Sequence, residues 1–387
     1  MSLHCQTAGE SHGPGLVATV CGLPAGLPVD EAFINAELTR RQGGYGRGGR
    51  QHIESDRVEI LSGVRRGLAI GSPVTMLIRN RDSRLDDLER TPPVHRPRPG
   101  HADLAGSIKY LTNDCRETLE RASARETAAR VAAGALARCL LREFGITSFG
   151  MVRAIGGHAT AVDVGESTLA ALAIARDASD TYCPDPEATQ RQVKAIHDAK
   201  LAKDTLGGIV EAHVVGCPPG LGSCMDWRDR LDARLAGAVM GIQAIKGVEI
   251  GMGFAAASLP GSQVHDPIEF DAAMRPAHNA LGFTRPRNNA GGTEGGMTTG
   301  QPVVVRAAMK PIATIGQGLP SVDLRTLTPE RSQHERSDIC AVAAASVVVE
   351  NVCCFEIARV LREKFSGDSL KEMRLQHQAF IDAARSL

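Results

Sequence analysis

The chain alternates short apolar runs with turns rich in glycine and proline, a pattern that predicts an α/β fold of short strands and helices. Leu16 to Val20 predicts a strand that ends at the turn Gly22-Leu23-Pro24, and Arg57 to Gly63 predicts another. Asp30 to Arg40 predicts a helix with Asp30 as its N-cap. The β-branched run Val303 to Val305 predicts a strand that ends at Lys310-Pro311.

The segment from Ser123 to Glu143 has the clearest helical pattern. Its apolar side chains recur on one face, which holds Ala128, Val131, Ala135, Leu136 and Cys139. Ser123 and Glu126 predict a capping box at its start, and Gly145 predicts its end after Phe144. A later apolar run predicts a further helix from Ala341 to Phe365.

Two stretches share one order of elements. One begins at Leu16 and the other at Ile209, and each predicts a strand, a Gly-x-Pro-x-Gly-Leu turn, a helix and a second strand. In the second stretch the helix is predicted from Asp229 to Ile245 and the strand at Val248 to Ile250. Two related α/β units explain the likeness, and so does common turn chemistry. No linker-like change in composition divides the chain, so residues 1–387 are expected to form a single large domain.

Composition narrows the functional classes. The 387 residues are 43% hydrophobic and 23% charged, with a formal net charge of zero, so global charge gives no reason to expect a nucleic-acid partner. The ten cysteines have no C-x-x-C pair and no metal-ligand spacing, which favours reduced packing residues and no metal site. No signal peptide is visible, and the most apolar run, Ala341 to Val349, is too short to span a bilayer. A cytoplasmic chain without a membrane partner is expected.

Local charge tells more than net charge. Between Thr39 and Gln51 there are four arginines and no acidic residue. A solvated basic loop is one interpretation, and an anion site is favoured because arginine among glycines presents forked donors beside exposed amides. Gly44-x-Gly46-x-x-Gly49 matches the dinucleotide fingerprint, but it follows a predicted helix and leads into a strand, so a Rossmann fold is rejected.

Two histidines lie in settings that favour chemistry. His12 lies between Ser11 and Gly13, and His101 follows the rigid segment Arg96-Pro97-Arg98-Pro99-Gly100. Together they are candidate acids near neutral pH, although each would also suit an exposed loop. Ser11 and Ser123 are not excluded as nucleophiles by residue type, but no Gly-x-Ser-x-Gly elbow is present.

Ser123 also lies at a predicted helix N-terminus between two arginines. Arg121 and Arg125 flank it, and such a terminus is a ready anion site, although capping alone explains the serine. Arg336 and Asp338 likewise precede a predicted helix.

Taken in order, six motifs closely resemble the chorismate synthase family from about Thr7 to Phe365. The motifs are Gly9-Glu10-Ser11-His12-Gly13-Pro14-Gly15, the glycine-arginine run from Arg40 to Arg50, Arg96-Pro97-Arg98-Pro99-Gly100-His101-Ala102-Asp103, Glu120-Arg121-Ala122-Ser123-Ala124-Arg125-Glu126, Asn288-Asn289-Ala290-Gly291-Gly292-Thr293-Glu294-Gly295-Gly296, and Glu335-Arg336-Ser337-Asp338. Each motif alone is weak evidence, and the ordered set is strong.

The resemblance implies an activity and a fold. Such enzymes convert 5-enolpyruvylshikimate 3-phosphate to chorismate and phosphate by a 1,4-anti elimination that needs reduced FMN. They form a β-α-β sandwich with helices packed between antiparallel sheets, and they assemble as homotetramers. NADPH is expected only as an indirect or external reductant. Thr293 and Ala343 depart from the family, which usually has an aliphatic residue and a proline there, so local packing is in doubt.

The resemblance also implies residue roles. His12 would act near the leaving phosphate, His101 would protonate the reduced flavin, and Asp338 would help the flavin accept the substrate's proton. Residues implied to bind or flank the substrate are Ser11, Arg41, Arg47, Arg50, Arg125 and Arg336. Residues implied to lie against the flavin are Arg121, Ala122, Ser123, Gln243, Ala244, Gly295, Lys310, Pro311, Ile312, Ala313, Thr314 and Arg336.

Two other classes stay open at this point. One is an NADPH-dependent flavin reductase, since bifunctional family members also reduce their flavin, but the chain lacks an added reductase-like segment. The other is a non-catalytic anion- or RNA-binding protein, for which 3% aromatic residues would supply few base-stacking platforms.

Overall fold

The computed structural model describes residues 2–48, 53–275, 280–333, 335 and 337–387. Its helices are α1 (Glu31–Gln42), α2 (Asp103–Tyr110), α3 (Arg116–Arg121), α4 (Thr127–Arg142), α5 (Leu169–Asp177), α6 (Pro186–Leu201), α7 (Leu231–Met240), α8 (Gly261–Val264), α9 (Val342–Lys364) and α10 (Leu370–Arg385). Its strands are β1 (His4–Ala8), β2 (Gly15–Cys21), β3 (Val58–Ser62), β4 (Val64–Arg65), β5 (Leu68–Ala69), β6 (Val74–Arg79), β7 (Thr147–Ile155), β8 (His158–Ala159), β9 (Gly208–Val215), β10 (Ile245–Ile250), β11 (Glu269–Phe270), β12 (Phe283–Thr284), β13 (Thr293–Glu294), β14 (Met297–Thr298), β15 (Val303–Met309), β16 (Pro320–Val322) and β17 (Pro329–Arg331).

Two antiparallel sheets form the outer layers of the fold. The first has the strand order β1-β2-β6-β3, and the second has the order β10-β15-β9-β7-β8. Side chains alternate across each strand, so Leu16, Ala18 and Val20 of β2 point into the core. Val303, Val305 and the rest of the inward face of β15 do the same in the second sheet. The strands predicted from these apolar patterns are therefore confirmed.

Helices α4 and α9 fill the space between the sheets. α4 packs on β2 of the first sheet, α9 packs on β7 and β9 of the second, and the two helices pack against each other. At their contact a Cβ on Gly134 would lie 2.3 Å from the carbonyl oxygen of Asn351, so only glycine permits this approach. The expected β-α-β sandwich, with helices between antiparallel sheets, is confirmed.

A buried ion network ties three of these helices together. Glu350 of α9 is fully buried and accepts from Arg40 at 2.5 Å and from Arg138 at 3.1 Å. Glu37 of α1 contacts both arginines at 2.6 Å, so two positive and two negative charges meet in the core. Burial alone would raise the pKa of Glu350, but Arg138 and Arg40 hold it well below its usual range.

Four strands of each sheet follow a similar order. Without its edge strand β8, the second sheet reads β7-β9-β15-β10, which corresponds to β1-β2-β6-β3 of the first. In the chain, α1 lies between β2 and β3, and α7 lies between β9 and β10. The internal repeat itself stays a prediction, as does the single domain of residues 1–387.

Some local predictions need correction. The helix predicted from Ser123 begins with a 3-10 turn, Ala124–Glu126, and the α-helix starts at Thr127. The predicted capping box is absent because the Glu126 carboxylate binds Thr7 and Arg130 instead. The predicted helix from Asp229 is shorter, Leu231–Met240, because β10 already begins at Ile245.

None of the helices in the described ranges combines the length and the apolar character that crossing a lipid bilayer needs.

Candidate active site

His12 lies in the loop between β1 and β2, where Glu120 at the end of α3 holds it. The His12 ring Nδ1 is 2.9 Å from the Glu120 carboxylate, and the His12 backbone N–H donates to the same carboxylate at 2.8 Å. The neighbouring Ser11 N–H donates to the Glu120 carbonyl at 3.1 Å. The other ring nitrogen, Nε2, lies 3.4 Å from Arg84 and 3.8 Å from Asp82. The ring is therefore held on one side and faces mixed charge on the other.

Glu120 remains ionised although it is fully buried. Burial alone would raise its pKa, but hydrogen bonds from His12 and the charge of Arg116 bring the pKa below its usual value. Arg116 contacts the Glu120 carboxylate at 3.3 Å and Glu335 at 3.2 Å. The segment that carries Asp338 is thereby linked to the His12 loop.

Two buried arginines share one carboxylate. Asp56 is 1% exposed, and its two oxygens accept from Arg41 at 2.7 Å and from Arg125 at 2.6 Å. Burial would raise the pKa of Asp56, but Arg41 and Arg125 lower it, so the group stays charged. Arg41 Nε and Arg125 Nη2 have no hydrogen-bond partner within the described ranges. Arg41 Nε thus keeps a donor available for an anion, and Arg125 Nη2 makes no hydrogen bond among the described residues although it lies 3.8 Å from the Glu54 carboxylate.

Asn80 connects Arg125 to the His12 loop. Its side-chain oxygen accepts from Arg125 Nε at 2.9 Å. Its amide nitrogen lies 2.8 Å from the carbonyl of Gly13 and 3.1 Å from that of Glu10. Arg125 and His12 are therefore positioned by one framework.

The glycine-arginine loop after α1 reaches the segment before α9. Arg47 contacts the Asp338 carboxylate at 2.7 Å, and the Gly48 N–H donates to the same group at 2.6 Å. A Cβ on Gly44, where φ is +97°, would lie 2.4 Å from the Ala343 methyl group, so the loop needs glycine to approach α9. The predicted residues Arg50 and Arg336 lie outside the described residues.

His101 has a setting similar to that of His12. Its Nδ1 is 2.5 Å from the carboxylate of Asp103, the first residue of α2, which is fully buried. Arg98 donates to Asp103 at 2.9 Å and to Thr314 Oγ1 at 2.8 Å. Ser337 donates to the Thr314 carbonyl at 3.2 Å, which links His101 to the Asp338 segment.

Most of the residues implied to bind a flavin lie next to these groups. Gln243 donates to Glu126 at 3.0 Å, and the Ala244 carbonyl accepts from the Lys310 N–H at 2.9 Å. A Cβ on Gly100, beside His101, would lie 3.9 Å from Lys310 Nζ. Burial lowers the pKa of Lys310, and the nearby charges of Lys246 and Arg98 lower it further.

The residues around Ser123 lie close to the first sheet. The Ser123 hydroxyl accepts from the Arg125 N–H at 3.2 Å, so it caps the 3-10 turn and stands between α3 and α4. Arg121 is exposed and donates to the Thr7 carbonyl at 3.3 Å. Capping and ligand contact are both compatible with this half-buried serine.

Gly295 is placed away from this group. It lies in the turn between β13 and β14, in a glycine-rich segment whose Gly291 accepts from Val304 near the start of β15. Lys310 follows the other end of β15, and seven strand residues span roughly 23 Å. A single chain therefore does not bring Gly295 beside Lys310, and its part in the same site stays a prediction.

Comparison with known proteins decides the family. A family model described as chorismate synthase matches residues 3–361. The chorismate synthase of Desulforamulus reducens is 54% identical over 377 residues, which cover 95% of each chain. That of Geobacter metallireducens is 53% identical over 393 residues and 98% of each chain. A crystal structure of chorismate synthase is similar with a TM-score of 0.82 at 41% identity, over 100% of this chain and 99% of that one.

The chain belongs to the chorismate synthase family. It is accordingly an enzyme, a lyase of the shikimate pathway that acts on a small-molecule substrate. The resemblance stated from the sequence motifs is confirmed over nearly the whole chain.

Several polar residues around the predicted chorismate synthase site were not predicted individually. Asp103 lies two residues after His101 in the same motif, so its nearness was a usable signal. Glu120 also lies inside a motif that carries the resemblance, but it is 108 residues from His12 in sequence, so nothing local indicated the pair. Asp56 and Asn80 have no such signal, because each is an isolated polar residue whose arginine partner is distant in sequence. Only the packing of α1 and α4 beside the first sheet brings them together.

Proposed function

We propose that this member of the chorismate synthase family converts 5-enolpyruvylshikimate 3-phosphate to chorismate and phosphate by 1,4-anti elimination, with reduced FMN as its cofactor. The observation that carries the proposal is the set of buried arginine donors left without hydrogen-bond partners within the described ranges. Arg41 Nε, Arg47 Nε and Arg125 Nη2 all belong to this set. Arg40, Arg359 and Arg362 have such donors elsewhere, but Arg41, Arg47 and Arg125 lie close enough for their charges to interact. This grouping favours an anionic ligand with several acceptor groups.

The proposed substrate matches that demand. It carries two carboxylates and one phosphate, roughly four negative charges near pH 7. Forked guanidinium groups bind such planar or tetrahedral oxygens with charge-assisted hydrogen bonds. Asp56 holds Arg41 and Arg125 at fixed positions before the substrate binds, so binding costs little additional side-chain entropy at these two residues.

The residues of this chain also suit a flavin nucleotide. Gln243 Oε1 is a buried acceptor without a hydrogen-bond partner among the described residues, which suits a ring N–H. Lys310 lies near Lys246 and Arg98, a group of cations that suits a phosphate. We propose that Arg121, Ala122, Ser123, Gln243, Ala244 and residues 310–314 hold this cofactor.

The chain's own share of the reaction is binding, orientation and proton handling. A reduced flavin held there would supply electron density to the substrate ring during the elimination, without net redox change. His12 holds a proton beside the leaving phosphate, and Glu120 supports it from behind. His101 and Asp338 are each fixed by an arginine, Arg98 and Arg47, and so keep proton-carrying groups at set places. The arginines stabilise the departing charge.

An anaerobic assay tests the proposal. With the phosphorylated enolpyruvyl substrate, chorismate should form only when FMN has been photoreduced, because oxidised flavin cannot lend electron density. Many product molecules should form per flavin, since the reaction has no net redox change. Absorbance of the product and of the flavin is recorded in the same cuvette.

Three outcomes would contradict the proposal. Product formed equally well with oxidised FMN would indicate a simple lyase. One NADPH consumed per product would indicate a true oxidoreductase. NADPH consumption without substrate would show an additional flavin-reductase activity and would replace the proposal that NADPH acts only through an external reductant.

We also propose that the chain assembles as a homotetramer. The segment between α7 and β13 exposes large apolar side chains, among them Phe254, Ile268 and Phe270, which a partner surface would cover. Light scattering at micromolar protein should give a mass several times the 41.0 kDa of the chain. A monomer under conditions where the enzyme is active would refute the tetramer.

A further inference from the structure

Both candidate catalytic histidines are held by the same arrangement of charged groups. In each case a buried carboxylate contacts the ring Nδ1, and an arginine contacts that carboxylate. The first set is Arg116, Glu120 and His12, and the second is Arg98, Asp103 and His101. The sets come from different helices and loops, so the repetition does not follow from one local turn.

The geometry at His12 is bidentate. Nδ1 lies 2.9 Å from one carboxylate oxygen of Glu120 and 3.0 Å from the other. A carboxylate that is held ionised can only accept, so Nδ1 carries the proton and donates it. Arg84 lies 3.4 Å from Nε2 and can only donate, which also leaves Nε2 as the acceptor in the neutral ring.

At His101 the ring nitrogen that contacts the carboxylate is again Nδ1. Nδ1 lies 2.5 Å from Asp103 Oδ1, and Arg98 Nη2 lies 3.2 Å from that oxygen and 3.0 Å from Nδ1 itself. The shorter contact of Nδ1 is the one to the carboxylate, which accepts, so Nδ1 carries the proton and Arg98 Nη2 donates to Asp103. Asp103 also accepts from the Arg98 backbone N–H at 3.0 Å, so its charge is well compensated although it is fully buried. His101 itself is 20% exposed at its side chain, so the ring reaches from this buried support toward solvent.

We propose that Glu120 and Asp103 are positioning residues that keep Nδ1 of His12 and His101 protonated, so that Nε2 is the atom that takes up a proton and, in the charged ring, donates it to the bound substrate or cofactor. The proposal rests on the proposed function of the two histidines. A carboxylate behind an imidazole selects the tautomer, fixes the ring and stabilises the ring when it is charged, without itself reacting. Arg116 and Arg98 complete each support because they keep the carboxylate from rotating away.

A third histidine offers a contrast. Glu211 contacts His213 through Nε2 at 2.7 Å, not through Nδ1, and the pair lies on β9 with Arg153 and Arg306 around it. This buried pair has no role in the proposed reaction, but it joins a carboxylate to an imidazole ring as the two sets do. Glu211→Gln is therefore a matched control for the general cost of removing a buried carboxylate from a histidine.

The test uses Glu120→Gln and Asp103→Asn in the full-length enzyme. An amide keeps the shape but places a donor or a weak acceptor against Nδ1, so the ring loses its preferred tautomer. We expect kcat to fall roughly 10- to 10³-fold while KM changes less than about threefold, because the substrate anions contact other residues. Glu120→Asp and Asp103→Glu, which retain a carboxylate, should recover part of kcat. Glu211→Gln should lower the melting temperature without lowering kcat.

A second measurement separates the proposal from the proposed function. ¹⁵N spectra of histidine-labelled enzyme report the protonated ring nitrogen directly, whether or not chorismate forms. Signals assigned through His12→Ala and His101→Ala should show protonated Nδ1 in the wild type and a mixed or Nε2–H ring in the amide variants. Unchanged tautomers in the amide variants, or a loss of kcat equal to that of Glu211→Gln, would overturn the positioning role. Failure of the wild type to form chorismate would instead overturn the proposed function.

Discussion

Replacing His12 or His101 by alanine is expected to slow chorismate formation by roughly 10²- to 10⁴-fold, the usual contribution of a positioned general acid or base. Both rings are held by buried carboxylates and are only partly exposed, so each is oriented before a ligand binds. Removing one ring removes a proton carrier from the proposed reaction and leaves the arginines in place. Steady-state assays with photoreduced FMN measure kcat and KM for each variant.

The control for these variants is His197→Ala, an exposed histidine on α6. Its kcat should equal that of the wild type. Circular dichroism and thermal unfolding should show that the His12 and His101 variants remain folded. Activity that requires added zinc and disappears with a chelator would contradict separate acid roles, because it would assign the histidines to a metal.

Replacing Arg125 by alanine is expected to weaken substrate binding by about 1.5–3 kcal/mol, the value of a lost hydrogen bond between charged groups. Arg125 is buried, its Nη2 donor lacks a hydrogen-bond partner in the described part of the chain, and Asp56 and Asn80 fix the other donors. Arg125→Lys keeps the charge but loses the fork, so it should recover only part of the affinity. Calorimetric titration with the substrate measures the dissociation constant.

Arg79→Ala is the matched control, because Arg79 is 70% exposed and pairs only with the exposed Glu59 in the described structure. Its affinity for the substrate should be unchanged. Arg50→Ala, at a position outside the described residues, should weaken binding by a similar amount to Arg125→Ala if both contact substrate anions. Folded Arg125→Ala enzyme that binds the substrate as well as the wild type does would refute the assignment of Arg125.

The secondary structure followed from the sequence wherever local pattern controls the backbone. The Asp30 side chain caps α1 by accepting from the Phe33 N–H, as its position predicted. Gly145, with φ at +71°, ends α4 as expected. Ser123 was only half predicted: it does cap, but distant partners draw the Glu126 carboxylate away from the expected box. A capping box is a local device, and long-range ion pairs can displace it.

Tertiary contacts limited the other predictions. The polar composition of the segment Asp180 to Pro186 is typical of an exposed loop, yet Thr181 and Cys183 are buried. Thr181 donates to Gln192, and the neighbouring Tyr182 hydroxyl donates to the Arg40 carbonyl. Polar composition indicated a surface position, but partners outside the segment satisfy the same polar groups inside the protein.

The candidate site was predictable in its residue types but not in its supports. Histidines and arginines in glycine-rich motifs predicted an anion site. In the structure, Asn80 links Arg125 to the His12 loop, and the Asp338 segment links Arg47 to His101. Asp56 could not be predicted in this way, because its role depends on a position between Arg41 and Arg125, which lie in different helical segments. Gly295 lies in the turn between β13 and β14, and its part in the flavin site stays a prediction.

The supports of the site come from segments far apart in the chain, and this has a consequence for biosynthesis on the ribosome. His12 contacts Glu120, Arg41 contacts Asp56, Arg47 contacts Asp338, and Arg98 contacts Thr314. A nascent chain that stops before Asp338 therefore lacks the carboxylate that holds Arg47. Contacts of such long sequence separation also form late, after the entropy of closing large loops has been overcome. A growing polypeptide therefore cannot complete the candidate site before Asp338 has been added, which requires 338 of the 387 residues.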